Sequence, residues 1–467
     1  MRPLPVLDRR RSGVLLHPTA LIGKYAESGA LGAAARAFID WLAAAGVSVW
    51  QVLPLGPVGP DLSPYWVRSD QAGNPALIDL REATDPVQLC GDYQDFCVAE
   101  RGWLEDYVLH TALSQAHGAA PWWTWSGPLR ERQREALRDA ATRLAPALER
   151  LRIEQWRFDR QWTALRNYAR ERGVLMYGDL PIYVAPDSVA TWKERRQFQL
   201  AADGQPAARA GVPPDYFAAD GQLWGNPLYD WEQALRDGFA FWRARLASQL
   251  QRFDLVRIDH FRGLAGYWSV PASAPTAREG EWRTAPGAEL LTTLKEANGP
   301  LPVVAEDLGI ITPDVVALRR RFGLPGMRVL QFGLDGLPDN LHLPSNYTPD
   351  TVAYTGTHDN DTALGWFRSL DPPAAQRVAG DLGVDAREVP QAMRRATSES
   401  ASVLAVLPLQ DVLELGSEAR FNVPGRVGGN WLWRVEPGAF SLEAAGELRA
   451  LNESCGRVAR TTPGNGQ

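Results

Sequence analysis

Lysine is nearly missing from this chain: three residues, Lys24, Lys193 and Lys295, stand against 46 arginines in 467 positions. None of the three falls at the end of a predicted strand, which argues against a Schiff-base aldolase and against a lysine general base. Cysteine is as scarce. Cys90, Cys97 and Cys455 form neither an even disulfide framework nor a zinc-ligand spacing, the usage of a reducing compartment. No run of about 20 apolar residues is present to span a bilayer, and no signal-peptide apolar segment follows the basic Met1–Arg11 start. Net charge is −6 without a basic stripe, so neither nucleic acid nor a membrane surface is an expected partner. No phosphate loop or dinucleotide fingerprint stands at a strand–helix junction, and no cofactor or metal is expected. Repeats and low-complexity tracts are absent too. These exclusions point to a soluble cytoplasmic protein.

What the chain does have is 45% hydrophobic residues and enough length for a large core. Short apolar, β-branched runs recur, each ending in polar or Gly/Pro residues. They are Gly13–His17, Val47–Leu53, Val174–Tyr177, Leu255–Ile258, Pro302–Ala305, Met327–Phe332, Thr351–Tyr354 and Leu404–Leu409. Such runs fit strands buried on both faces. Helical stretches such as Leu31–Ala45, Thr312–Phe322 and Val389–Val403 separate them, which predicts a (β/α)8 TIM barrel within the α/β class. The spacing predicts one elaborated barrel over 1–467. It carries a mostly helical insert over 80–171, with helical periodicity over Leu129–Arg152, and a loop-like insert over 187–231. No separate C-terminal β domain is expected.

Catalytic groups of an α/β barrel gather where strands end. The third run ends Gly178-Asp179-Leu180, the fourth Arg257-Ile258-Asp259-His260, the fifth Ala305-Glu306-Asp307, and the seventh leads to His358-Asp359-Asn360-Asp361. Carboxylates gathered at one mouth serve either divalent-metal binding or glycosidic cleavage. A retaining glycosidic mechanism needs two carboxyl groups about 5–5.5 Å apart, and adjacent strands lie about 4.8 Å apart. Inward residues on strands four and five, Asp259 and Glu306, can therefore face one another. Arg257, two residues before Asp259, points the same way and favours its charged form. Glu306 requires the opposite environment, one that keeps its proton. Asp359 beside His358 can hold hydroxyls and a developing positive charge. The plainer alternative for any one strand-end Asp is a helix cap or a loop contact, and Asp307 and Asp361 are candidates for that. The 18 tryptophans offer flat faces suited to pyranose rings.

The runs Gly178–Ala185, Arg257–Gly263, Ala305–Gly309 and Thr355–Thr362 resemble the strand motifs of the 4-α-glucanotransferases. This is the amylomaltase and disproportionating-enzyme group, glycoside hydrolase family 77, in the α-amylase superfamily. Gly211–Phe217 with Gly221–Pro227 resembles that family's acceptor-side loop, Ser63-Pro64-Tyr65 with Gly73-Asn74-Pro75 its second loop, and Gly429-Asn430-Trp431 its C-terminal signature. The resemblance implies transfer of α-1,4-glucan segments between maltooligosaccharides, or starch- or glycogen-derived glucans. It implies Asp259 as nucleophile, Glu306 as acid/base and Asp359 as transition-state stabiliser, with Arg257, His260 and His358 around the reacting sugars. Tyr65 would be a platform, and Asp215, Gln222 and Trp224 would lie on the acceptor side. Two positions depart from the pattern: the family usually shows an aromatic near Gln71, beside Asp70, and a larger apolar residue at Ala76.

The alternatives are a retaining α-glucan hydrolase or branching enzyme on the same barrel, a Mg-dependent barrel enzyme, and a non-catalytic glucan-binding protein. Products from maltotriose separate the first, insensitivity to EDTA the second, and the activity of Asp259→Asn beside the wild type the third.

Overall fold

Eight short strands, buried on both faces, form the centre of the molecule. The structure is a computed structural model describing residues 5–21, 23, 29–82, 90–214, 219–426 and 428–459. The strands are β1 (Arg11–Leu15), β2 (Val49–Gln51), β3 (Leu175–Leu180), β4 (Leu255–Ile258), β5 (Val303–Ala305), β6 (Gly326–Val329), β7 (Thr351–Tyr354) and β8 (Leu404–Pro408). All pair in parallel in the order β6-β7-β8-β1-β2-β3-β4-β5. At the remaining junction the Ala305 N–H, at the end of β5, donates to the Pro325 carbonyl just before β6, at 2.8 Å. The result is the predicted (β/α)8 barrel, with one strand in each predicted run. Near-continuous burial along every strand explains why the runs read as apolar blocks and not as alternating ones.

Boundaries moved where side chains intervene. The sixth run stops as a strand at Val329, and Leu330–Phe332 turns as a 3-10 helix with Phe332 largely exposed. The helix expected over Val389–Val403 ends at Glu399. There the buried Arg457 guanidinium binds the carbonyls of Ser398, Ser400 and Ser402, and that of Arg11 in β1. Those carbonyls are drawn out of a helical ladder and tie the chain's two ends to the floor of the barrel.

Between β2 and β3 lie helices Cys90–Ala99, Arg101–Ala116, Gly127–Arg130, Arg134–Arg143 and Ala145–Glu171. The helical period over Leu129–Arg152 is thus broken, first at Arg132 with its left-handed φ of 54°, then at Leu144 before the next helix. The stretch 187–231, expected as loop, contains a short helix (Val189–Lys193) and two strands (Ala208–Val212 and Gln222–Pro227). These strands join Gly266–Pro271 and Glu281–Thr284 in an antiparallel sheet beside the barrel mouth. Its glycines read as loop but serve a sheet: a Cβ at Gly211 would lie 2.3 Å from the Gln222 carbonyl oxygen, and Gly221 turns the chain at φ 67°. Among the described residues no helix is long and apolar enough to cross a membrane.

Gly178 lies within β3 under the ring of Phe253, which meets Trp162 edge-on. A Cβ there would fall 2.2 Å from the Phe253 ring. Gly178→Ala should therefore cost about 1–3 kcal/mol by overpacking, read as a lower urea midpoint. Adding Phe253→Leu should recover part of that loss; strictly additive losses in the double variant would contradict the contact.

Candidate active site

The period-2 alternation of β3 and β4 stacks their inward residues in layers. Tyr177 and Asp179 share the inner face of β3, and Arg257 and Asp259 follow one another on the inner side of β4, with Asp179 in register with Arg257. The lower layer is a phenol–amide cluster in which Tyr354 donates to Gln51 Oε1 at 2.9 Å and lies 3.4 Å from the Tyr177 hydroxyl. Above it sits Arg257, whose side chain is 4% exposed. Its Nε lies 3.5 Å from Asp179 Oδ1, Nη1 donates to Asp259 Oδ1 at 3.1 Å, and Nη2 reaches the same oxygen. Burial pulls the Arg257 guanidinium toward neutrality, but Asp179, Tyr65, Asp259 and Glu306 more than reverse that, so it stays charged. Asp179, fully enclosed, is pushed up to about 7 by burial, with Arg257 opposing and Asp259 adding to the rise.

The loop after β2 brings Tyr65 over this pair. Its hydroxyl donates to Asp179 Oδ2 at 2.5 Å, and its ring stacks on His358 at 5.2 Å and 14°. Trp431 closes the aromatic group 6.2 Å from Tyr65 and 6.0 Å from His358. Burial lowers the His358 value, against the pull of Asp359, and its Nε2 lies 3.4 Å from Asp359 Oδ1. Asp359 is exposed at the mouth, where Asn422 Nδ2 donates to its Oδ1 at 2.7 Å and the Arg420 guanidinium to its carbonyl at 2.6 Å.

Glu306, at the end of β5, is held by main chain. Its Oε2 accepts the His260 N–H at 2.6 Å and its Oε1 the Leu308 N–H at 2.9 Å. His260, the residue after Asp259, takes the left-handed conformation (φ 50°, ψ 46°), rare for a side chain of its size. Burial raises the Glu306 carboxyl to about 8, the neighbouring Asp259 charge adding to it and Arg257 opposing. Burial also lowers the His260 imidazole to about 3, which leaves it neutral. That ring meets Trp224 edge-on at 4.7 Å and Tyr183 at 6.5 Å. The Trp224 indole N–H donates to Gln222 Oε1 at 3.0 Å.

Tyr65, Arg257, Asp259, Glu306, His358 and Asp359 therefore belong to one contiguous group, and His260, Trp224 and Gln222 flank it on the Glu306 side. Asp215 lies outside the described residues. Asp307 and Asp361 point elsewhere. Asp307 is buried against Arg319 and the Met327 N–H, and Asp361 accepts from Ser417 and the Thr362 N–H. Asn422, Arg420 and Tyr183 escaped sequence reasoning. None of them is an acid at a strand end, and an amide in the loop after β8 carries no such signal.

The raised carboxyls make stability fall with pH. Glu306 keeps its proton in the folded chain up to about 8, whereas the unfolded chain releases it near the ordinary 4.5. Its contribution is whole below that lower value and is lost as pH climbs toward 8. Glu306→Gln should gain stability relative to the wild type as pH rises through this window, and Asp179→Asn should do so over a narrower one ending near 7. Thermal midpoints from pH 4 to 9 check both; parallel curves for the wild type and the Glu306→Gln variant would contradict the buried-acid assignment.

Comparison with known proteins shows the family and the fold. The model of glycoside hydrolase family 77, described as 4-alpha-glucanotransferase, matches residues 16–91 and 82–440. A 4-alpha-glucanotransferase of Thermus thermophilus is 47% identical, the alignment covering 96% of this chain and 99% of the relative. One from Synechocystis is 42% identical over 97% of this chain and 99% of its own. Among solved structures, the amylomaltase from Streptococcus agalactiae in complex with acarbose superposes with a TM-score of 0.92 at 32% identity, covering 97% of this chain and 100% of that one. The chain belongs to the 4-alpha-glucanotransferase family, glycoside hydrolase family 77.

Proposed function

We propose that this enzyme moves α-1,4-glucan segments from a donor maltooligosaccharide to the 4-hydroxyl of an acceptor glucose or glucan by a retaining double displacement. The observation that carries the reading is the unequal surroundings of two adjacent acids. Asp259 is hydrogen-bonded to a buried arginine, whereas Glu306 holds its proton to about pH 8 while bound by the N–H of the residue next to Asp259.

In the first half, a carboxylate oxygen of Asp259 attacks the anomeric carbon of the donor. The bond from that carbon to the glycosidic oxygen breaks, and the Glu306 proton passes to the leaving oxygen. Asp359, exposed at the mouth and oriented by Asn422, supplies negative charge to the oxocarbenium-like centre. In the second half, Glu306, now a carboxylate, takes the proton of the acceptor 4-hydroxyl as that oxygen attacks the same carbon. The ester bond to Asp259 breaks, and both carboxyls return to their starting state. Two inversions give net retention. Tyr65, Arg257 and His358 serve the donor sugar, and His260, Gln222 and Trp224 the acceptor. The complex of the Streptococcus agalactiae amylomaltase with acarbose supports a glucan in the corresponding cleft. The scarcity of cysteine suits a reducing cytoplasm.

Maltotriose as sole substrate should yield glucose and a ladder of longer oligosaccharides; glucose and maltose alone would mean a hydrolase. Glu306→Gln should lower turnover about 10²–10⁴-fold. Given a glucosyl fluoride donor, whose leaving group needs no proton, it should accumulate a sugar ester on the Asp259 peptide, seen by mass spectrometry. Wild-type activity in that variant would refute the acid role. For the wild type, kcat/KM for the donor should decline above about pH 8 as Glu306 loses its proton; a flat profile to pH 9 would oppose it.

A further inference from the structure

We infer that the ion pair between Asp70 and Arg245 is a positioning device that sets the acceptor side of the site without touching substrate. The inference rests on the transferase reading above and on its placing the acceptor beside Gln222 and Trp224.

Arg245 lies on helix Ala240–Arg252, with its side chain 2% exposed. Its Nε pairs with Asp70 Oδ2, its Nη1 donates to the Ile182 carbonyl at 2.8 Å and to the Tyr229 hydroxyl at 3.0 Å, and its Nη2 donates to the Pro181 carbonyl at 2.6 Å. The same helix face continues the grip: Gln249 donates to the Asp70 carbonyl at 2.9 Å, and Arg252 to that of Gln71. One helix thus gathers two loops. The loop after β2 carries Tyr65, and the loop after β3 carries Tyr183, whose ring lies 6.3 Å from Trp224 and 6.5 Å from His260.

Asp70 is the carboxylate paired with this guanidinium; its other partners are carbonyls and a phenol. Removing it leaves a buried cation without a counter-charge. The guanidinium then turns toward water and releases Pro181 and Ile182, and Tyr183 loses its seat behind Trp224 and His260. The donor group keeps its own hold when the Asp70 side chain is lost: Gln249 and Arg252 still bind the main-chain carbonyls of the loop that carries Tyr65, and Tyr65 stays on Asp179 and His358. Arg257, Asp179, the Tyr65–His358 stack and Asn422 receive none of Arg245's hydrogen bonds. The loss should therefore fall on the second half-reaction.

Ping-pong kinetics separate the halves, since kcat/KM for the donor reports formation of the ester and kcat/KM for the acceptor its resolution. In the full chain, Asp70→Ala should lower the acceptor value about tenfold and leave the donor value within about twofold, with more glucose released to water. Asp70→Asn, which keeps an acceptor oxygen but not the charge, should lose about threefold on the acceptor side alone. If Asp70→Ala does not fold, Asp70→Asn carries the test by the same criterion. Equal losses in both halves, or no change in either, overturn the inference. A wild type that builds no ladder from maltotriose overturns the transferase reading itself, and this inference with it.

Discussion

A guanidinium enclosed by the barrel is the constraint on which the site depends. Arg257 cannot leave water without compensating charge, because an unpaired buried ion costs several kcal/mol even after relaxation. Asp179 on the neighbouring strand and Asp259 one step up its own strand supply that charge, and the strand register fixes both. Tyr65 is then drawn in by Asp179, and His358 by the face of Tyr65. The order of dependence runs from barrel register to buried cation, from cation to carboxylates, and from carboxylates to the aromatic lining. A change in the register of β3 against β4 would dissolve every later step.

Two neighbouring acids have different surroundings at this mouth. Asp259 faces a guanidinium through two nitrogens, whereas Glu306 meets only backbone N–H groups, and burial beside a negative neighbour keeps its proton on. The left-handed turn at His260 matters because it lets one peptide serve both: its N–H anchors Glu306 while its chain position fixes Asp259. Backbone in this region is uncommon for a histidine, and strain of this kind gathers where geometry is needed more than local comfort.

The barrel was legible because parallel strands buried on both faces must be apolar blocks, and the helices between them keep the runs apart. The acids were legible because barrel chemistry sits at strand ends. What stayed hidden depended on distant pairing. The sheet formed by 208–212 and 222–227 needs Gly266–Pro271 as its partner, some forty residues on, and its glycines signal turns whether or not strands flank them. Asn422 orients Asp359 from a loop with no periodicity. Asp70 stands out in the sequence only as the neighbour of Gln71, where the family pattern is broken, and its partner Arg245 reads like any arginine on a helix face. Local sequence records burial and turn chemistry well; it does not record which buried ion will meet which.

In the proposed mechanism transfer competes with hydrolysis at the ester, and orientation decides the competition. Water needs no positioning site, whereas a sugar hydroxyl must be held near its line of attack, where a well-placed reactant gains an effective concentration of about 10⁵ M or more. Such a gain exists only if the holding surface is already rigid. On the proposed reading the acceptor side is made from Trp224 on strand Gln222–Pro227, Tyr183 in the loop after β3 and His260 in the turn after β4. Rings from separate segments keep their spacing only if something buried joins the backbones that bear them. Helix Ala240–Arg252 joins the segment that bears Tyr183 to the loop after β2 from behind, through the carbonyls of Pro181, Ile182 and Asp70. In the proposed mechanism, preference for a sugar over water therefore depends partly on side chains such as Asp70 and Arg245, which lie behind the rings that would hold the acceptor.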